Sequence, residues 1–361
     1  MSTEGSDQLP HATAKSLRVI GKLRALPEDF QVVEIPAYDP QGRGDHLFIQ
    51  FEKTGLNTAD AVRKLALALD ADPAAASFAG LKDRHAVTTQ WASVFGAEPE
   101  RALALELPGI RVLAAQRHGH KLRTGHLRGN RFMIRVRCGP GNLVTAQTVM
   151  SQLAEHGTPN FYGEQRFGRD AGNLLRARRW LLEGGRAPRD RFERKLLVST
   201  LQSEAFNRWL ADRMHSVGLA QPIAGDVMRK EDSHGLFVAN DLPDAVARMA
   251  SWEISPTGPM FGSKMRAPEG AALLIEQALL EQFRIPEAVQ AQIRKIAEGT
   301  RRVSRIRPTD VEVSDFGQGI ELRFSLPKGA YATVVLRELL KNPATEAFEA
   351  PGEAESAEGL D

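Results

Sequence analysis

A single cysteine, Cys138, in 361 residues excludes an internal disulfide and every metal site built on clustered thiolates. No apolar run approaches the length needed to span a membrane. Residues 1–15 are polar, contain Pro10 and lack the apolar stretch of a secretory leader, so the expected location is the cytoplasm. There is no Walker A sequence and no His-Glu-x-x-His. Gly317-Gln318-Gly319 lies between strand-like runs and lacks the third glycine and following helix of a dinucleotide loop. His118-Gly119-His120 has no neighbouring carboxylate or thiol, and its basic surroundings repel cations, so no metal is expected. No glycine-rich loop closes a strand, which argues against a methyltransferase using S-adenosylmethionine.

The most informative scarcity is of acid. Between Glu106 and Glu155 there is none, while Arg111, Arg117, Lys121, Arg123, Arg128, Arg131, Arg135 and Arg137 fall inside, with His118, His120 and His126 among them. Such a segment repels itself unless a polyanion faces it, which points to nucleic acid. The formal charge of +2 hides this bias, because six acids lie beyond the last cation, Lys341. Without those six the body carries 47 cations against 39 anions.

Hydrophobic content of 42% and charged content of 25% suit a soluble globular protein, and the length suggests about two domains. Residues 1–16 read as disordered. Short strands follow at 19–23 and 30–35, flanking a proline turn at 26–29. Alternation of Leu47, Ile49 and Phe51 marks another strand. Asn57 or Thr58 caps a helix carrying Ala61, Val62, Leu65 and Leu69 at helical spacing. In residues 131–138 the two-residue period is clear. Phe132, Ile134, Val136 and Cys138 share one face, and Arg131, Met133, Arg135 and Arg137 the other. Past Asn160 the chain turns helical and arginine-rich, and alternation returns from Val303. Mixed sheet, mainly helical block, then mixed sheet again suggests an insertion into a sheet domain. The expected divisions are a core at 17–158 and 304–342, an insertion at 159–303, and an acidic, disordered tail at 343–361.

The stretch on which the chain turns runs from Ser77 to Trp91. An apolar lead-in and a β-prone lead-out flank Gly80, Lys82, Asp83, Arg84 and His85, which reads as strand, tight turn, strand. A carboxylate among cations ionises easily and can act as nucleophile or base.

Three stretches stand out together: Phe78-Ala79-Gly80-Leu81-Lys82-Asp83-Arg84-His85-Ala86-Val87-Thr88-Thr89-Gln90-Trp91, then residues 125–132, then Asn160-Phe161-Tyr162-Gly163-Glu164-Gln165-Arg166-Phe167-Gly168. With Pro27-Glu28-Asp29-Phe30 and Leu326-Pro327-Lys328-Gly329-Ala330-Tyr331-Ala332-Thr333, they resemble the TruD family of tRNA pseudouridine synthases from about Lys22 to Leu340. The resemblance implies an α+β fold: a mixed, largely antiparallel sheet core with a mainly helical α/β insertion domain, forming a cleft for RNA. It implies isomerisation of uridine to pseudouridine, typically at tRNA position 13, without a cofactor. Asp83 becomes the catalytic carboxylate, attacking uracil C6 or the ribose anomeric carbon, or promoting glycal formation by abstracting a proton. Phe132 falls where the family presents an aromatic ring to the base, although its alternation with Ile134 also suits a core position. Asn130 can hydrogen-bond the nucleotide or Asp83. Arg24 stands where the family has lysine, and a guanidinium can grip a carboxylate with two donors. Phe30 matches a position near the active site. Lys82 is expected to meet RNA phosphate or form a salt bridge. Arg128, Arg131 and Arg166 are candidate phosphate contacts. Arginines 176, 178, 179, 186, 189, 191 and 194 crowd the start of the insertion. The expected partner is tRNA, with no membrane, and nothing demands more than a monomer. A non-catalytic RNA-binding protein or tRNA chaperone is the competing reading; in it, binding matters and Asp83 does not.

Overall fold

The computed structural model describes residues 9–283 and 285–341. In chain order the elements are β1 (Gly21–Leu23), β2 (Phe30–Pro36), β3 (His46–Lys53), α1 (Thr58–Ala68), β4 (Ser77–Phe78), β5 (Val87–Phe95), α2 (Pro99–Leu103), β6 (Ile110–His118), β7 (Leu127–Cys138) and α3 (Asn142–His156). Next come β8 (Thr158–Pro159), α4 (Gly172–Leu181), α5 (Arg191–Ser216), β9 (Val227–Lys230), β10 (Leu236–Val238), α6 (Leu242–Ala250), β11 (Ile254–Met260), α7 (Gly270–Gln282) and α8 (Glu287–Ile296). The chain closes with β12 (Thr300–Val303), β13 (Arg305–Ile306), β14 (Thr309–Asp315), β15 (Gly319–Pro327) and α9 (Ala332–Leu340). Two compact units result. One holds Arg18–Thr148 and Thr309–Gly329; the other holds residues 9–17, Val149–Pro308 and Ala330–Lys341. Among the described residues no helix is long and apolar enough to cross a membrane.

The first unit is built on a mixed sheet in the order β14-β15-β7-β2-β5-β3-β6, with β1 added to β7 and β4 to β5. Only β2 and β5 run parallel. Inward residues of β3 (Leu47, Ile49, Phe51) pack against Val62, Leu65 and Ala66 of α1, as the two periodicities require. The long strand β7 begins at Leu127, ahead of the expected Arg131. Gly129 makes this possible: a Cβ there would lie 2.2 Å from the Leu326 carbonyl oxygen. It lets β15 approach β7. The expected tight turn before β5 is a wider loop, residues 79–86, because β4 ends at Phe78.

The second unit carries the sheet β10-β9-β11-β12 with α5 packed on β11. Strand β11 is not visible in the sequence, since Pro256 and Pro259 interrupt it. It tolerates them by changing partner: Ile254 to Pro256 pair with β9, and Thr257 to Met260 with β12. Gly258 sits under Trp209 of α5, where a Cβ would come within 2.3 Å of the ring. Two buried ion pairs brace this unit, Arg213 with Asp226 and Arg301 with Glu276, each bidentate. Residues 9–16, expected to be disordered, are held in place. The N–H groups of Ala12 and Thr13 donate to the buried Glu338 carboxylate at 3.0 and 3.2 Å, and Arg337 donates to the Pro10 carbonyl at 3.0 Å. Polar bonds from α9 substitute for the apolar content this segment lacks. The acidic tail lies outside the described residues.

Candidate active site

Asp83 lies in the loop 79–86, and each charged residue around it is tied down separately. Lys82 donates its backbone N–H to the Thr58 hydroxyl at 2.9 Å. Thr58, read from sequence as a possible cap of α1, serves this loop instead. The Lys82 ammonium meets the Glu34 carboxylate at 2.7 Å, with the two side chains 6% and 1% exposed. Of the two roles open to Lys82, the salt bridge is the one present in the structure. The Gly55 N–H donates to the Arg84 carbonyl at 3.1 Å, and the Arg84 guanidinium donates to the Gly55 carbonyl. The Asp83 side chain meets different partners from those of Lys82.

The two oxygens of Asp83 have different partners. Oδ1 accepts the backbone N–H of His85 at 3.0 Å, and Oδ2 lies 3.0 Å from Nη2 of Arg24. Both side chains remain about one-fifth exposed, so the pair is reachable. Arg24 sits between β1 and the proline turn with φ of 55°, a left-handed conformation that costs a non-glycine residue about 1–2 kcal/mol. Its neighbours enforce that geometry. Asp29 receives Arg137 of β7 through two bonds of 2.9 Å and the N–H of Leu26 at 2.9 Å. Burial opposes ionisation of Asp29, but the Arg137 hydrogen bond, the Leu26 N–H and the charges of Arg137 and Arg135 prevail and hold its carboxyl below the usual range. The turn is thereby bolted to β7 and aims Arg24 at Asp83.

Beneath this pair lies an aromatic row. The Arg24 guanidinium stands 4.4 Å over the Phe30 ring. Phe30 meets Phe132 edge-on at 6.3 Å, and Phe132 stacks on Phe324 at 5.4 Å. The register puts Phe132 between Val32 of β2 and Phe324 of β15. Phe132 is 6% exposed, so its core role is real and only a small part of it is open. Asn130 is half-buried, and its Oδ1 has no donor among the described residues.

The basic face is less bare than the sequence suggests. Carboxylates remote in sequence meet several of its arginines: Glu52 pairs with Arg111, Glu98 with Arg117, Glu321 with Arg135 and Asp29 with Arg137. Lys121, Arg123, Arg128 and Arg131 carry no ion pair among the described residues, and Arg123, Arg128 and Arg131 are exposed. Arg166 belongs to the second unit, where it donates to the Ser203 hydroxyl at 3.0 Å and flanks Tyr162. Of the arginines at the start of the insertion, 176 and 178 pair with Glu193 and Glu204. Residues Glu34, Lys53 and Phe324 are parts of the site that the sequence reading misses. Among the described residues no group of histidines, cysteines and carboxylates has the arrangement of a metal site.

Asp83 thus sits in a loop beside the mixed sheet of an α+β unit, held by a cation that stands over an aromatic ring. The fold matches a crystal structure from Methanosarcina mazei assigned to tRNA pseudouridine synthase D, with a TM-score of 0.73 and 23% identity, covering 94% of this chain and 96% of that one. The model of the family described as tRNA pseudouridine synthase D (TruD) matches residues 10–185 and 191–339, and the chain belongs to that family. The tRNA pseudouridine synthase D of Anaeromyxobacter sp. (strain Fw109-5) is 47% identical over 337 residues, covering 92% of this chain and 96% of the relative. That of Thermus thermophilus is 38% identical over 356 residues, with 98% of each covered.

Arg24 offers a direct check on the site. Arg24→Gln removes the cation at Asp83 Oδ2 and should lower turnover about 10²-fold, the usual scale for one electrostatic partner. Arg24→Lys should retain most activity, since a compact ammonium can also reach a single oxygen. Equal, wild-type rates in both variants would remove Arg24 from the site.

Proposed function

We propose that this protein isomerises uridine to pseudouridine at position 13 of tRNA, with Asp83 acting directly on a flipped-out nucleotide, as a cytoplasmic monomer. The Arg24–Asp83 pair carries the reading, because a partly open carboxylate held by a cation that stands over an aromatic ring is the equipment this chemistry needs. The uracil is detached from its ribose carbon and rejoined through C5, with no redox change and no net water. Three routes are open to Asp83: attack at uracil C6, attack at the anomeric carbon, or proton abstraction toward a glycal. Flipping the target costs about a few kcal/mol. Contact with the open edge of Phe132 returns part of that cost, and half-buried Asn130 is the proposed hydrogen-bonding side chain for the nucleotide. Arg128 and Arg131, with further arginines of the insertion, suit phosphates; such contacts position RNA without reading its sequence.

Incubating unmodified total tRNA with the protein and mapping pseudouridine by nucleotide should show it at position 13. Modification at another position would replace that part of the proposal. Affinity for tRNA should fall with salt, with a log–log slope of about 0.7 to 0.9 for each phosphate contacted. Salt-independent affinity would contradict the basic surface assigned here.

A further inference from the structure

Lys53 ends β3 at an inward position, and only 1% of it is exposed. Lysines are almost never this enclosed without a partner carboxylate. Among the described residues its one hydrogen bond runs from Nζ to the backbone carbonyl of Asp83, at 2.9 Å. An ammonium with three donors has therefore been buried to hold one atom, the main-chain oxygen of the candidate nucleophile. Simple packing would be served better by an apolar side chain. On either side in the sheet, Thr88 of β5 and Ile110 of β6 are its register partners, and neither carries charge. The charged groups that act on it come from the loop 79–86: Asp83 attracts and Lys82 repels. Beyond them, Glu34 pairs with Lys82 and Arg24 with Asp83.

We propose that Lys53 is a positioning residue for catalysis: its ammonium pins the Asp83 main chain and supplies a fixed positive charge behind the carboxylate, while Arg24 holds it in front. The inference rests on Asp83 being the catalytic carboxylate. A backbone shift of about 1 Å at a reacting group can cost 10²-fold in rate, so loss of this anchor should act on turnover and not on RNA affinity.

Charge on Lys53 is also conditional. Burial lowers its pKa from 10.5 to about 8, against the attraction of Asp83 and with the help of Lys82. Above that pH the ammonium loses its proton, and turnover should decline. Folding stability moves the opposite way. The unfolded chain holds this proton up to about its ordinary pKa, so between the two values the unfolded state binds more protons, and Lys53 contributes rising stability as pH rises. A lysine that merely braced the fold would give no decline in turnover across this range.

The experiment measures single-turnover rates from about pH 6.5 to 9.5, spanning the shifted lysine pKa, on saturating tRNA. Binding and circular dichroism run alongside, for wild type, Asp83→Asn, Lys53→Met and Lys53→Arg. Wild type should lose activity above about pH 8. Lys53→Met should be about 10- to 100-fold slower at neutral pH, with unchanged tRNA affinity and no alkaline decline. Lys53→Arg keeps its charge throughout and should recover part of the rate while also lacking the decline. Wild-type rates and the same alkaline limb in folded Lys53→Met would overturn the proposal. If that variant does not fold, a wild-type alkaline limb in Lys53→Arg overturns it equally. Activity in Asp83→Asn would instead overturn the underlying assignment of Asp83, which keeps the two failures apart.

Discussion

Replacement of Asp83 by asparagine is expected to lower the rate of pseudouridine formation by about 10³-fold or more, the scale seen when a group acting directly on substrate is removed. The fold should survive, because the new side-chain oxygen can still accept the His85 N–H that Oδ1 accepts now. Affinity for tRNA should be unchanged or slightly higher, since one negative charge leaves a basic surface while Arg24 and Lys53 remain. That combination, lost chemistry with retained binding, separates the isomerase from a non-catalytic RNA binder. Rapid-quench kinetics and equilibrium binding on the same preparation check it. A folded variant with wild-type turnover would remove Asp83 from the mechanism.

The second large effect concerns stability. Lys82→Met should destabilise the protein by about 3–5 kcal/mol, because Glu34 would remain as a buried carboxylate without its cation. The remaining contact that Glu34 makes, with the Trp91 backbone N–H at 3.3 Å, cannot neutralise it. Pairing the change with Glu34→Gln should recover much of the loss, since removing both members of a buried pair costs far less than removing one. Denaturant unfolding of the single and double variants provides the measurement. The salt slope of tRNA binding should not change. A stable Lys82→Met variant with a slope reduced by about 0.7 to 0.9 would return Lys82 to the surface as a phosphate contact.

Much of this site can be read in the sequence, and the parts that cannot have physical reasons. The fourteen positions around Asp83 are specific enough to carry the family resemblance, and the two-residue period of residues 131–138 correctly buries Phe132, Ile134 and Val136. The same rule contained more. Lys53 continues the inward series Leu47, Ile49, Phe51, and Glu34 continues Phe30 and Val32, so a charge at an inward parity was the available signal of a buried functional group. Strand β11 defied the rule because its prolines and Gly258 suit a partner change and a tryptophan contact that only tertiary structure reveals. The acid-free segment misled in degree. Its arginines find carboxylates on neighbouring strands and loops, and separation along the chain says nothing about that. Order in residues 9–16 depends on Glu338 and Arg337, at the far end of the described chain, and no local pattern encodes it.

The central claim is that this chain moves the glycosidic bond of a tRNA uridine from nitrogen to C5. Forming the new bond must expel the hydrogen at C5. Tritium release from unmodified tRNA carrying uridine labelled at C5 therefore reports the reaction itself. Release by the wild-type protein, about one equivalent per target uridine, is the result expected. Tight binding of that tRNA with no tritium released would contradict the account and leave a protein that holds RNA without changing it.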